Sequence, residues 1–167
     1  MEITLDMLLA SRENRQAKQQ ALMSAHPSHT LVCLTVVMPG AVKRNLHSLI
    51  VANAALTAVL ECFRQYLIDI EVRDLATGYE CYLVVALEAL EAKKLACQIE
   101  DSHPLGRLFD IDVLAADGAP LCREQVGDTP RRCLLCEHES RWCMRNHTHT
   151  QAELHARISE MIEEYVR

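Results

Sequence analysis

Two aspartates in one short stretch carry the clearest chemistry of this 167-residue chain. Asp110 and Asp112 lie in the run Phe109–Val113, where apolar and acidic residues alternate as in a β-strand. Side chains alternate between the two faces of a strand, so both carboxylates are expected on one face and the apolar residues on the other. Two carboxylates on one face repel each other unless a cation lies between them. The pattern fits Mg²⁺ (or Mn²⁺) held together with substrate phosphates for phosphoryl or nucleotidyl transfer; the alternative is the polar face of an edge strand.

The residues that lead into this stretch favour the first interpretation. His103 can act as a general base or donate to a phosphate, and Arg107 presents a fixed fork to phosphate oxygens. Gly106 lets the backbone approach a ligand closely. We therefore predict a phosphoryl-transfer site made of this loop and the aspartate strand, with an ordinary surface-loop histidine as the alternative for His103.

A second cluster of chemically active residues lies near the C-terminus. Cys133-x2-Cys136-x6-Cys143-x5-His149 has the residue types and spacing of a tetrahedral Cys3His zinc site, which would be closed and structural. Only one Cys-x2-Cys pair is present, so cysteines packed on the buried side of a short helix are an equally good interpretation. A Cys–His nucleophile pair stays open as well, since no cysteine is matched to one histidine.

Cations are found in two places that could face a phosphorylated ligand. Apolar spacing predicts a helix over residues 5–24, in which Arg12, Arg15 and Lys18 recur every third residue and share one face. A solvated helix face is the simpler explanation of that pattern. Lys43 follows a Pro-Gly turn at Gly40, just before a predicted helix start, and helix starts can bind anions. This turn lacks the glycines of a phosphate-binding loop.

The rest of the chain predicts the elements that position these groups. Helices are expected over residues 5–24, 46–67, 88–94 and 150–166, and strands over residues 31–37, 68–75, 81–87, 95–100, 108–114 and 119–123. Asn45 and Thr150 are the expected N-caps, and Asp117-Gly118 is the expected hairpin turn. We predict an α+β fold (mixed α/β) with a mixed or antiparallel central sheet. N-terminal, middle and C-terminal helices flank the sheet, and one strand carries a nucleotidyltransferase-like site.

Composition limits the classes of protein. Half of the residues are hydrophobic, so one domain spanning residues 1–167 can bury a sizeable core. The net charge of −6 argues against a nucleic-acid partner but allows a local basic pocket. No run reaches the roughly 18 uninterrupted apolar residues of a membrane helix, and the first residues lack the basic segment with which a signal peptide begins. A cytoplasmic location follows, in which the eight cysteines are expected to be reduced.

Four blocks of sequence resemble one enzyme family across nearly the whole chain. They are Leu8–Gln19, Thr35–Lys43, His103–Val113, and Arg131–Cys136 with Cys143, Arg145 and His149. The chain resembles the phosphoribosyl-dephospho-CoA transferases that mature citrate lyase, the holo-citrate-lyase synthase family. Ala41 departs from the family, which usually has a second proline there. His147 stands where the family tends to have a basic residue, so His149 is the preferred fourth zinc ligand.

The resemblance implies an activity, a partner and roles for the candidate residues. The expected reaction moves a phosphoribosyl-dephospho-CoA group from triphosphoribosyl-dephospho-CoA to a serine of the citrate lyase acyl carrier (gamma) subunit, releasing pyrophosphate. Asp110 and Asp112 would hold Mg²⁺, and His103 or an aspartate would accept the serine proton. The cations expected to neutralise the triphosphate are Arg12, Arg15, Lys43, Lys93 and Arg107.

Three rival functions remain at this stage. The Cys/His segment over residues 131–149 could be the centre of a zinc-stabilised interaction module without catalysis. A related nucleotidyltransferase could act on another carrier, such as that of malonate decarboxylase. The cysteines and histidines would also permit redox sensing.

Overall fold

A four-stranded antiparallel sheet forms the centre of the computed structural model, which describes residues 1–167. Its strands are β1 (Thr30–Val36), β2 (Leu67–Leu75), β3 (Gly78–Val85) and β4 (Phe109–Leu114), arranged in the order β2-β3-β1-β4. The helices are α1 (Leu5–Ala25), α2 (Leu46–Phe63), α3 (Ala89–Ser102), α4 (Ser140–Asn146) and α5 (Gln151–Val166). Short 3-10 turns occupy Arg64–Tyr66, Gly106–Leu108 and Arg123–Val126.

The connectivity from β1 to β4 is that of a split βαβ fold. The chain runs β1-α2-β2-β3-α3-β4, and both β3 and β4 pair antiparallel with β1. This is the β-α-β-β-α-β arrangement known from ferredoxin-like proteins, and it puts β4 at an edge of the sheet. The predicted single α+β domain is confirmed, and of the two expected sheet types the antiparallel one is correct.

One face of the sheet is buried under helices α2, α3 and α5. The apolar residues of β4 that flank the aspartates, Phe109, Ile111 and Val113, all join this main core. From the helices, Val51 and Phe63 of α2, Ala92 and Ala96 of α3, and Ile158 and Ile162 of α5 contribute to it. Because this face is apolar along β4, the alternating polar residues must lie on the opposite face.

Helix α1 covers the opposite face only in part. Leu22 of α1 packs with Leu31 and Cys33 in a small second core. Towards the middle of the helix, Arg15 donates to Glu80 of β3 at 3.0 Å, and Ser11 donates to Thr77 at 3.0 Å. The polar contacts of α1 thus run to β2, to β3 and to the β2-β3 hairpin, and the part of the edge strand β4 around Asp110 is left accessible on this face.

Two predicted strands are wrong. Leu95–Glu100 belongs to the continuous helix α3, in which Ala92, Ala96 and Ile99 are buried at helical spacing. A short apolar run does not distinguish a strand from a buried helix by periodicity alone. The expected return strand over residues 119–123 is reduced to an isolated bridge between Leu114 and Pro120. The predicted caps at Asn45 and Thr150 are confirmed as capping boxes.

One helical stretch, Leu46–Tyr66, is long and apolar enough to cross a membrane by length and composition. The sequence prediction missed it because the stretch contains scattered polar residues. Helix α2 buries Val51, Ala55 and Val59 in the main core, and a core helix of a soluble protein meets the same criterion. The cytoplasmic location stays a prediction.

Candidate functional site

Asp110 and Asp112 share the partly open face of the edge strand. Strand β4 pairs with β1 so that Asp110 lies opposite Thr35 and Asp112 lies opposite Cys33. The Thr35 hydroxyl donates to Asp110 Oδ2 at 3.4 Å, and 48% of the Asp110 side chain remains exposed to solvent. The predicted placement of both carboxylates on one face of one strand is confirmed. A ligand can therefore reach Asp110 from solvent.

Asp112 is held in a less favourable setting for its charge. Burial raises the pKa of the Asp112 carboxyl above its ordinary value, and the charge of Asp110 raises it further. The cations Lys93, Arg131 and Arg15 act in the opposite direction without cancelling the effect. Two carboxylates whose charges repel each other have the chemistry of a divalent cation site, because a bound cation would relieve the repulsion.

We expect Asp112→Asn to stabilise the protein when divalent cations are absent. The folded pKa lies above the unfolded value near 3.8, so stability falls as pH rises through the interval between them. Asparagine mimics the neutral acid. The variant should therefore gain its full stability over the wild type at pH values above the folded-state pKa, and gain none at pH values below the unfolded-state pKa. Thermal unfolding without metal at neutral pH should show a higher Tm, by about 2–4 °C per kcal/mol gained. An equal or lower Tm would contradict the raised pKa.

Charged side chains cover the outer edge of β4. Glu100 of α3 accepts a hydrogen bond from the Ile111 N–H at 2.8 Å, and Lys93 donates to the Ile111 carbonyl at 3.4 Å. Both residues are buried, and burial raises the pKa of Glu100 although Arg131 opposes the shift. An unpaired strand edge invites association with other chains. Here the edge is closed by α3, which also fixes the backbone between the two aspartates.

Arg131 joins this edge to the aspartates and was not selected from the sequence. Its guanidinium donates to the Phe109 carbonyl and, at 3.4 Å, to the Gly106 carbonyl. It also lies 3.3 Å from Glu100 Oε1 and 3.7 Å from Asp110 Oδ1. Arg131 is separated from β4 by a long stretch of chain, so no local spacing could have paired it with Asp110. The signal available was its place two residues before Cys133.

We expect Arg131→Gln to lower the affinity of the carboxylate pair for a divalent cation about 10–100-fold, a range typical when a residue that orients a metal-binding carboxylate is lost. The buried Glu100 would also lose its nearest countercharge, which destabilises the fold by about 1.5–3 kcal/mol. Arg132→Gln is the matched control, because Arg132 is 71% exposed and pairs only with exposed Glu137. Comparable losses in both variants would contradict the role of Arg131.

The loop before β4 is packed against α3. A Cβ on Gly106 would lie 2.2 Å from the Glu100 carbonyl oxygen, so only glycine fits there without moving the backbone. Arg107 is partly buried, and burial together with Arg131 and Arg123 lowers its pKa. Guanidinium groups remain charged under these conditions. The structure therefore gathers Arg107 and Arg131 near the start of β4, with Gly106 serving close packing.

The predicted cations of the N-terminal half lie at the same end of the sheet. Lys43 donates to the Met38 carbonyl at 2.6 Å, and its pKa is lowered by burial and by the nearby charge of Arg12. Arg15 is engaged with Glu80, which also receives Arg73 at 3.6 Å. Arg12 and Lys43 form no ion pair in the protein, and the one partner of Lys43 is a neutral carbonyl, whereas Arg15 is paired with a buried carboxylate.

Gly40 has a left-handed backbone conformation, with φ of 80°, and lies against α5. A Cβ there would approach His155 Nε2 to 3.1 Å and Gln151 Oε1 to 3.3 Å. The predicted Pro-Gly turn is thus packed against the start of the C-terminal helix. Gly40 shapes the turn that carries Lys43.

His103 lies on the helical side of the sheet. Its ring is 4.8 Å from that of Phe109 and 5.5 Å from that of Tyr165 in α5, measured between centroids. Nδ1 accepts from the Leu105 N–H at 3.0 Å, and burial lowers the pKa of the imidazole. Phe109 points into the main core, away from the face that carries Asp110. The structure does not bring His103 together with the aspartate pair.

The four predicted zinc ligands converge. One ligand atom from each of Cys133, Cys136, Cys143 and His149 lies within 4.8 Å of the others. Cys136 Sγ is 3.4 Å from Cys143 Sγ and 3.3 Å from His149 Nε2. Sulfur atoms around one zinc ion are about 3.8 Å apart, from Zn–S bonds of about 2.3 Å in a tetrahedron. The donor set and its spacing therefore fit zinc.

The thiols in this cluster differ in acidity. Burial opposes ionisation of Cys133, but hydrogen bonds from the Leu135 and Cys136 N–H groups and from neighbouring thiols lower its pKa to about 7. Burial and the adjacent sulfurs raise the pKa of Cys143 to about 11. Backbone N–H groups that point at a thiolate also stabilise it as a metal ligand. The other five cysteines are free thiols outside the cluster.

Comparison with known proteins identifies one family. Residues 3–165 match the family model described as apo-citrate lyase phosphoribosyl-dephospho-CoA transferase. A probable apo-citrate lyase phosphoribosyl-dephospho-CoA transferase of Vibrio cholerae is 39% identical over 171 residues, covering 99% of this chain and 94% of the relative. The apo-citrate lyase phosphoribosyl-dephospho-CoA transferase of Escherichia coli O1:K1 is 37% identical over 163 residues, covering 96% and 88%.

Proposed function

Because the chain belongs to the family of apo-citrate lyase phosphoribosyl-dephospho-CoA transferases, we propose that it modifies the citrate lyase acyl carrier (gamma) subunit. The group transferred is phosphoribosyl-dephospho-CoA, the donor is triphosphoribosyl-dephospho-CoA, and the acceptor is a serine hydroxyl. A P–O bond forms between the serine oxygen and the α-phosphorus, and the bond to pyrophosphate breaks. The single observation that supports this site is the carboxylate pair of Asp110 and Asp112 on the open face of β4.

The carboxylates are proposed to hold Mg²⁺ or Mn²⁺. Their donor set is the one these hard cations prefer. Burial first and the charge of Asp110 second raise the pKa of Asp112, and a bound cation would offset that repulsion. When bound, the cation supplies charge neutralisation and polarisation of the phosphoryl oxygens. Thr35 and Arg131 orient Asp110 from two sides through its two oxygens.

Cations at the start of β4 are proposed to bind the triphosphate and the leaving pyrophosphate. Lys43 and Arg12 approach from the α1 side, and Arg107 approaches from the loop before the strand. Fixed cations aimed at charge that develops on the leaving group lower the barrier because they need no rearrangement. Arg15 and Lys93 act at longer range, because Arg15 is paired with Glu80 and Lys93 is buried against the Ile111 carbonyl.

An aspartate of the pair is the better candidate for accepting the serine proton. His103 was the other candidate, but its ring contacts Phe109 and Tyr165 on the helical side of the sheet. A general base must come within hydrogen-bond reach of the proton that it removes. His103 is proposed instead to secure the loop that leads into β4 through its hydrogen bond from Leu105.

The Cys/His cluster is proposed to bind one structural zinc ion. All four protein donors are present, which leaves no open position for substrate or water. Arg131 lies two residues before Cys133, so the metal would anchor the segment that carries this arginine to β4. Zinc thus supports the transferase site without taking part in the reaction.

Mass spectrometry of the carrier subunit tests the proposed function. After incubation with enzyme, triphosphoribosyl-dephospho-CoA and Mg²⁺, the carrier should gain the mass of one phosphoribosyl-dephospho-CoA group and release one pyrophosphate. The carrier of malonate decarboxylase, assayed alongside, tests whether another carrier is the acceptor. An unmodified citrate lyase carrier would reject the proposal.

A further inference from the structure

A large open cavity lies at the end of the sheet opposite the cations. It has a volume of about 890 Å³, which is in the range of small-molecule sites. Its walls come from the end of α1, the loop before β1, the segment after β3 and the turn after β4. Representative lining residues are Met23, Ser24, His29, Leu114 and Gly118. None of these residues has a role in the transfer chemistry described above.

The cavity lies next to the end of β4, on the face that carries the aspartates. Leu114 lines it and is two residues beyond Asp112, so by strand alternation both side chains lie on the same face, with their Cα atoms roughly 7 Å apart. Leu114 packs with Leu22 of α1 in the small second core, which forms the floor on this side. A ligand bound at the aspartates would therefore lie on the same face of the sheet as the cavity.

The charges at the two ends of this face differ. No lysine or arginine lines the cavity. Its lining includes the carboxylates of Glu88 and Asp117 and the imidazoles of His26 and His29. Arg12, Lys43 and Arg131 all lie towards the other end, near the start of β4. A phosphate would find no lysine or arginine in the cavity walls and would be repelled by two carboxylates. The cavity thus fits an uncharged part of the substrate.

Building on the proposed function, we propose that this cavity binds the adenosine portion of the nucleotide donor. Moving away from the reacting α-phosphorus, the donor carries first a ribose and then the adenosine. The diphosphate and the pantetheine arm come only after these. Glu88 and Asp117 can accept hydrogen bonds from ribose hydroxyls and from the adenine amino group. Met23 and Leu114 offer apolar surface to the purine.

Methionine methyl NMR tests binding directly. The chain has six methionines, of which Met23 lines the cavity and Met144 is 71% exposed elsewhere. With ¹³C-methyl methionine in the full chain and Met23→Leu for assignment, adenosine should shift the Met23 signal and leave Met144 unchanged. Shifts caused by 4′-phosphopantetheine and not by adenosine would overturn the assignment, as would no response of Met23 to adenosine.

A cavity-blocking variant tests the kinetic consequence. Ser24→Trp places a large side chain at the exposed end of α1, and Gln16→Trp is the control on the same helix outside the cavity. Ser24→Trp should raise KM for the donor about tenfold with kcat changed less than about threefold, which is the signature of lost ground-state binding. Gln16→Trp should leave both constants unchanged.

The two proposals fail in different ways. If the wild-type enzyme does not modify the carrier, the proposed function is rejected. If the wild type modifies the carrier and Ser24→Trp has a normal KM, the cavity assignment alone is overturned.

Discussion

Asp110→Asn should abolish transfer of the prosthetic group while leaving the protein folded. Asparagine keeps the size of the side chain and its strand position but removes the charge that would hold a divalent cation. A metal ion contributes several kcal/mol to such reactions, and about 4 kcal/mol corresponds to a loss of roughly 10³-fold. Because Asp110 is 48% exposed, the substitution costs little in packing. Carrier modification followed by mass spectrometry gives the rate.

Three comparisons make this result specific to the site. Asp69→Asn alters an exposed aspartate on β2, the opposite edge strand, and should keep full activity. The thermal shift produced by Mg²⁺ in the wild type should disappear in Asp110→Asn, since the binding partner is lost. A variant of Asp110 that modifies the carrier at near-normal rate would remove the metal assignment, even if the family assignment stands.

The position of these aspartates was predictable because it depends on local rules. Strand alternation places Asp110 and Asp112 together whatever the rest of the fold does, and the apolar residues between them identify the buried face. The zinc ligands were predictable for the same reason, since Cys133 and Cys136 are close in sequence. Capping at Asn45 and Thr150 follows equally local chemistry.

What the sequence did not reveal depends on contacts between distant segments. His103 precedes the aspartates in one continuous motif, yet the short turn at Gly106–Leu108 sends the two to opposite sides of the sheet. Arg131 reaches Asp110 from a segment that no pattern links to β4. The strand order, which places β4 at an edge of the sheet, could not be predicted either, because periodicity predicts where helices and strands lie but not which strands pair.

Removing zinc should cost both stability and activity. The cluster closes the segment from Cys133 to His149, and a ligand bound only by the folded state stabilises it by about 4 kcal/mol at a thousandfold excess over its Kd. For a chain of this size that corresponds to a Tm lower by about 10 °C. Metal analysis of the purified wild type should find one zinc per chain. A zinc-selective chelator, used with Mg²⁺ in excess, should produce the loss.

Cys136→Ser should reproduce the effect of chelation, because Cys136 Sγ contacts both Cys143 and His149. Cys122→Ser is the matched control, since Cys122 is an exposed free thiol outside the cluster. Activity should fall with Cys136→Ser because Arg131 is no longer held against Asp110 and Glu100.

Combining Cys136→Ser with Arg131→Gln shows whether the loss of activity comes from the release of Arg131 or from general unfolding. If zinc acts by holding Arg131, the double variant loses little more activity than Arg131→Gln alone. Multiplied losses would mean that the cluster acts on the site independently of this arginine.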